Sequence, residues 1–153
     1  VYRCFDGAIA PLPWTAPLGR LDKASEGSLL FTNDPQWAAR ITDPETGPRK
    51  TYHVQIDCIP DTTLLSAWCE GVNAEGERLS AVSATLLRAG EKNAWVEIVL
   101  DEGRNRQIRR LLSAFGIGTL RLIRVAVGGL VLGTLPKGQW RSLEAEDLRR
   151  IDE

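Results

Sequence analysis

Apolar and polar residues alternate through residues 50–57. Tyr52, Val54 and Ile56 share one face, and Thr51, His53 and Gln55 the other. A period of two marks a half-buried β-strand, so this stretch predicts a strand with Tyr52 turned inward. The period becomes helical after Gly103. Ile108, Leu111, Leu112 and Phe115 fall at i, i+3, i+4 and i+7, a single apolar stripe, and Gly116 is placed to close that helix. Asp34 followed by Pro35 predicts the cap and first position of a short helix reaching Ile41. Asp61 is the expected cap of a second helix running to about Glu70, with Leu64, Leu65 and Trp68 inward, and Ser142 that of a charged final helix ending near Ile151. Further strands are expected at residues 1–5, at a sheet edge, and at 28–32, 79–88, 94–100 and 119–127. The pair 79–88 and 94–100 should run antiparallel around a turn at Gly90. Proline and glycine mark residues 6–18 and 43–48 as irregular, with turns at 73–77 and 136–138. Mixed strands and helices with adjacent strand pairs predict an α+β fold around a mostly antiparallel mixed sheet. With no repeat, low-complexity stretch or linker, residues 1–153 read as one domain.

Composition narrows the class. The 153 residues, 43% apolar and 25% charged, suffice for a domain with its own core. No apolar run approaches the roughly 20 residues of a membrane span, and no signal-peptide pattern opens the chain, so the expected location is cytoplasmic. The chain begins at Val1 rather than Met, and the expectation is of a trimmed N-terminus. Cys4, Cys58 and Cys69 are odd in number with no CxxC pair, which fits reduced thiols better than disulfides or zinc. His53, the only histidine, leaves little for a histidine-based metal cluster or a catalytic triad.

The net charge of −1 argues against a generic polyanion binder, but its distribution does not. Arg104, Arg106, Arg109, Arg110, Arg121 and Arg124 lie within 21 residues that contain no acid and no lysine, which leaves −7 for the rest of the chain. Guanidinium groups pair bidentately with phosphate and carboxylate, so this concentration is an electrostatic footprint for a polyanion. The plainer reading is a solvated basic helix face.

The candidate chemistry centres on residues 19–34, where Asp22 sits between Arg20 and Lys23 and is bracketed by Gly19 and Gly27. A carboxylate on a loop anchored by a strand, with cations beside it, is held as reactive carboxylates often are. Alone, such an aspartate reads first as a turn cap. Tyr52 reads as core or as a surface for stacking a planar base. Arg106 and Arg110 share a helical face. Arg109 borders the apolar stripe, and a half-buried arginine needs an anion, for which Asp22 is the candidate. Leu120, Leu122, Val125 and Val127 read as core, while Arg121 and Arg124 extend the basic patch.

Four blocks, GRLDKASEGSLLFTND from Gly19, RKTYHVQI from Arg49, EGRNRQIRRLL from Glu102, and TLRLIRVAVG with LGTLPKGQWRSL from Thr119, occur in the order in which they resemble the motifs of pseudouridine synthases. The group is that acting on ribosomal small- and large-subunit RNA, and the Glu102 block most resembles its large-subunit branch. The likeness runs from Gly19 to Leu143. It implies the pseudouridine synthase catalytic fold with a central cleft, and isomerisation of a specific uridine in ribosomal RNA, 23S before 16S, without cofactor or metal, by a monomer. It further implies that Asp22 is the catalytic aspartate, Tyr52 the tyrosine stacking on the uracil and moving a proton at C5, and Arg109 the basic partner of the aspartate. Arg20 would fill the gap left by the flipped base, Ile108 and Leu122 would line the uracil pocket, and Arg104, Arg106, Arg110 and Arg124 would meet the RNA. Ser28 and Pro35 depart from the pattern, where a large aliphatic residue and a glycine are usual. With 18 residues before Gly19, the small N-terminal RNA-binding domain of the S4 type carried by many relatives is expected to be absent. The rival readings are a non-catalytic RNA-binding or ribosome-assembly domain, and another carboxylate enzyme such as a glycosidase. The latter wants two working acids, and Asp22 has no second one at a motif.

Overall fold

The computed structural model describes residues 15–19, 21–102 and 106–153. The expected strand at residues 1–5, Arg20 and Arg104 lie outside the described residues. The chain runs β1 (Ala16–Pro17), β2 (Glu26–Gly27), β3 (Phe31–Thr32), α1 (Pro35–Thr42), β4 (Lys50–Ile56), α2 (Thr62–Glu70), β5 (Val72–Ala74), β6 (Glu77–Leu79), β7 (Ser83–Ala89), β8 (Ala94–Leu100), α3 (Gln107–Ala114), β9 (Thr119–Val127), β10 (Leu130–Val131) and α4 (Ala145–Ile151). The main sheet has the order β10-β9-β4-β8-β7, every neighbour antiparallel. β2 joins the outer side of β9 in parallel, making the sheet mixed. This is the expected α+β class.

Local chemistry sets the helix ends. The Asp34 carboxylate accepts the N–H groups of Gln36 and Trp37 at 3.0 and 3.3 Å, with Pro35 opening α1. Asp61 accepts the Leu64 N–H at 2.8 Å and starts α2. α3 closes on Gly116 in the left-handed region. The Gly116 N–H donates to Ser113 O and the Ile117 N–H to Leu112 O, which satisfies the last carbonyls.

Two hydrophobic clusters result. The larger joins Val54, Ile56, Val96 and Ile98 of the sheet to Trp68 of α2 and to Ile108, Leu111 and Leu112 of α3. The smaller joins Leu18, Leu30, Ile41, Val127, Leu130 and Ile151 beneath α1 and α4. A cleft opens where they meet, lined by Leu100, Ile108 and Leu122 from one and Leu18, Leu30 and Ile41 from the other.

Four local expectations are corrected. Residues 28–32 are not one strand: Glu26–Gly27 pairs with β9 and Phe31–Thr32 with β1, because each flank finds a different partner. Leu79 does not begin the long strand. It ends a separate hairpin, β5–β6, whose two turn residues, Glu75 and Gly76, both have positive φ, the geometry that matches strand twist. Leu120 is 52% exposed and Val125 only half-buried, against the expectation of core for both. The register gives the reason. Nine residues of β9 face seven of β4, and Leu120 and Val125 are the two left without a partner, between Thr119 and Arg121 and between Arg124 and Ala126. Finally, α4 is capped by Glu144, whose N–H donates to Asp147 at 2.8 Å, rather than by Ser142. Arg141 holds Asp147 with two hydrogen bonds at 2.8 and 3.0 Å, and together with the Glu144 N–H this lowers the Asp147 carboxyl to about 2.

Candidate active site

Asp22 lies in the loop before β2, and backbone contacts fix that loop against β9. Gly27 has φ +110°, and a Cβ there would stand 2.5 Å from Arg124 N, 2.8 Å from its carbonyl carbon and closer still to its oxygen. Only glycine permits this approach. The Ser28 N–H donates to Arg124 O at 2.9 Å and the Ser28 hydroxyl to the same oxygen at 3.3 Å, while Arg124 Nε donates to Ser28 O at 2.8 Å. Ser28, a departure from the family pattern, is thus part of the anchor. Arg121 grips Glu26 with two hydrogen bonds at 2.7 and 2.9 Å, and chiefly through them lowers the Glu26 carboxyl below its ordinary range. Within the loop, the Ser25 N–H donates to Asp22 O at 2.9 Å.

From α3, Arg109 reaches the other side of this loop. Its Nη2 donates to Ala24 O at 3.2 Å and lies 3.5 Å from Ser25 Oγ. Its Nε lies 3.8 Å from Asp22 Oδ2, and Arg106 Nη1 3.7 Å from the same oxygen. The Arg109 side chain is 15% exposed and that of Asp22 21%, so the pairing inferred from the apolar stripe holds, with Arg106 as a second cation at 52% exposure. Both separations exceed hydrogen-bond length.

The cleft beside Asp22 has a volume of about 450 Å³. Tyr52 lines it from β4, Ile108 from α3 and Leu122 from β9; the last two are 3% and 5% exposed. Arg124 belongs to the cleft too. At 6% exposure it is a buried wall residue opposite Tyr52 rather than an extension of a surface patch. Arg110 points elsewhere, donating to Glu77 Oε1 at 3.0 Å and Ala74 O at 3.4 Å, and ties α3 to the β5–β6 hairpin. Lys50 and Gln107 are among the cleft residues that the sequence does not single out. Lys50 shares the face of Tyr52 two residues earlier, a position that strand alternation alone could have identified. Gln107, 3% exposed, opens α3 and donates to Ser80 O at 3.2 Å. Among the described residues no group of three or more His, Cys, Asp or Glu could hold a metal ion, and no helix is long and apolar enough to cross a membrane.

Residues 14–114 match the sequence profile of the family described as RNA pseudouridylate synthase. A ribosomal large subunit pseudouridine synthase E of Xanthomonas campestris pv. campestris is 41% identical over 152 residues, covering 90% of this chain and 81% of the relative. A protein of the same name from Vibrio parahaemolyticus is 35% identical, covering 82% of this chain and 59% of its own length. A crystal structure of a pseudouridylate synthase superposes with a TM-score of 0.82 at 31% identity, covering 98% of this chain and 64% of that one.

Proposed function

The chain belongs to the RNA pseudouridylate synthase family, and on that premise we propose that it converts a specific uridine of large-subunit ribosomal RNA to pseudouridine, with Asp22 as the nucleophile. The observation that carries this reading is the convergence of separate sequence blocks on one cleft. Asp22 comes from the first, Tyr52 from the second, Arg106, Ile108 and Arg109 from the third and Leu122 from the fourth, and all but Arg109 line the cleft, with Arg109 against the Asp22 loop. A binding module has no need of a carboxylate facing phosphates. The two relatives' names point to large-subunit RNA.

The geometry supports the following roles. Arg109 and Arg106 set positive charge beside the Asp22 carboxylate in a site that substrate closes to water. Ile108, Leu122 and the ring of Tyr52 present an apolar slot for a base turned out of its stack, offsetting an unstacking cost of roughly a few kcal/mol. Asp22 acts at the sugar, the N1–C1′ bond breaks, the uracil turns, and C5 bonds to C1′. The C5 proton is lost, with Tyr52 placed to move it, and N1 takes one up. Arg106, at the exposed end of the site, is the phosphate contact.

Tritium release from 5-tritiated uridine in transcribed 23S and 16S RNA tests this, wild type beside Asp22→Asn. Release from 23S RNA that disappears in the variant, with the fold and RNA binding retained, is the expected result. Near-wild-type release by Asp22→Asn would sink Asp22 as nucleophile. RNA binding by wild type without release from either RNA would favour a non-catalytic ribosome-assembly domain.

A further inference from the structure

The cleft holds a pair of cations to which the roles above assign nothing. Lys50 stands at the start of β4, and Arg124 lies across from Tyr52 in the β4–β9 register. Lys50 is half-buried and Arg124 nearly fully so. Arg124 gives its Nε to the Ser28 carbonyl, and neither cation is ion-paired with a carboxylate among the described residues. Burial, and after it the charge of Arg124, hold the Lys50 ammonium below its ordinary range. Two like charges withdrawn from water beside each other are unfavourable until an anion joins them.

We infer that, within the reaction proposed above, Lys50 and Arg124 seat the negative charge that the uracil ring carries while it is detached from the sugar. When the N1–C1′ bond breaks, its electron pair leaves with the ring and spreads over N1, O2 and O4. This is so whether Asp22 bonds to C1′ or removes a sugar proton. C5 then returns a pair to C1′, its proton is lost and N1 is protonated, so the exchange needs no oxidant or reductant. An RNA substrate offers two anionic groups, ring and phosphate, and the placement favours the ring. Both cations flank Tyr52, the stacking surface, and Arg124 is walled in at 6% exposure, whereas the Arg106 side chain is 52% exposed and open to a backbone phosphate. Fixed charges aimed at a developing anion in a water-poor site act on the transition state far more than on the bound ground state.

The test is the single-turnover rate of tritium release at saturating 5-tritiated uridine RNA, alongside RNA affinity at several salt concentrations. Lys50→Met and Lys50→Gln are measured side by side, so that failure of one to fold leaves the other to decide. Each is expected to slow the chemical step about 100-fold, with RNA affinity and its salt dependence unchanged. Lys50→Arg, which keeps a cation, recovers most of the rate. A wild-type rate in a neutral variant overturns the inference. So does an unchanged saturated rate with weaker binding and a salt slope shallower by about 0.7, which would make Lys50 a phosphate contact. No release by the wild type itself overturns the proposed function and takes this inference with it. Wild-type release with loss confined to Asp22→Asn, and none in the Lys50 variants, overturns the inference alone.

Discussion

Gly27→Ala isolates what the close approach of β2 to β9 contributes. The residue sits at φ +110°, where an L side chain is strained by about 1–2 kcal/mol. The added Cβ would overlap backbone atoms of Arg124, which cannot swing aside as a flexible side chain would. The loop must therefore lift from β9. That breaks the Ser28 N–H to Arg124 O bond at 2.9 Å and the Arg124 Nε to Ser28 O bond at 2.8 Å. At about 1 kcal/mol each, and more for the charged donor, the total reaches about 3–5 kcal/mol. For a domain of this size that corresponds to a fall in Tm of about 6–20 °C. Lifting the loop also moves Asp22, and a displacement of about 1 Å at a reacting group costs about 100-fold in rate. Calorimetry and tritium release measure the two effects. Gly138→Ala is the control: φ is +80° there, but a Cβ would meet open space, so only the strain remains. If Gly27→Ala melts with Gly138→Ala and turns over at the wild-type rate, the anchor is not what positions Asp22.

Two further outcomes are expected. Arg109→Ala removes both the charge facing Asp22 and the hydrogen bond to Ala24 O, so turnover falls steeply and stability by about 1–3 kcal/mol; an unchanged Tm counts against the pairing. Asp147 is held at about 2 in the fold against an ordinary 3.8, so its stabilisation is complete above the ordinary value and is lost as pH falls through the lower one. Thermal melts between pH 5 and pH 2 check this on the order-of-magnitude scale of carboxylate titration: Asp147→Asn should give a flatter acid limb, and parallel curves would refute the linkage.

Elements governed by local chemistry were legible in the sequence. The caps at Asp34 and Asp61, the alternation of β4, the stripe of α3 and the closing glycine at 116 each express an interaction within a few residues. What stayed hidden depends on partners distant in sequence. Arg124 reads as surface because nothing local shows that Ser28, 96 residues earlier, will receive it. Arg110 reads as RNA-facing until the β5–β6 hairpin supplies Glu77. Leu120 and Val125 read as core because alternation cannot reveal where the partner strand will be shorter. For the site, the motif order brought Asp22, Tyr52, Ile108 and Leu122 together correctly, with Arg109 beside the Asp22 loop. Alternation puts Lys50 on the face of Tyr52, but a lysine at a strand end reads first as an ordinary solvated terminus.

The two unpaired residues of β9 also govern how this protein can change over time. They make β9 a strand whose length is counted twice. The first count is against β4, and the second is through Glu26 and Gly27, which β9 carries on its other side. Loss of either unpaired residue would leave the pairs on both sides of it one to one and keep Leu122 and Arg124 on their face, whereas loss of a paired residue would slip the register and carry Leu122 or Arg124 out of the cleft and Asp22's anchor out of line. Within residues 119–127 a single deletion is therefore expected to be absorbed at Leu120 or Val125 and not at a paired position, whereas the turn at Lys137–Gly138, held by a backbone hydrogen bond from Gln139 to Pro136, is free to lengthen. Divergence within such a lineage accumulates at the rim of the fold, while this strand keeps its measure.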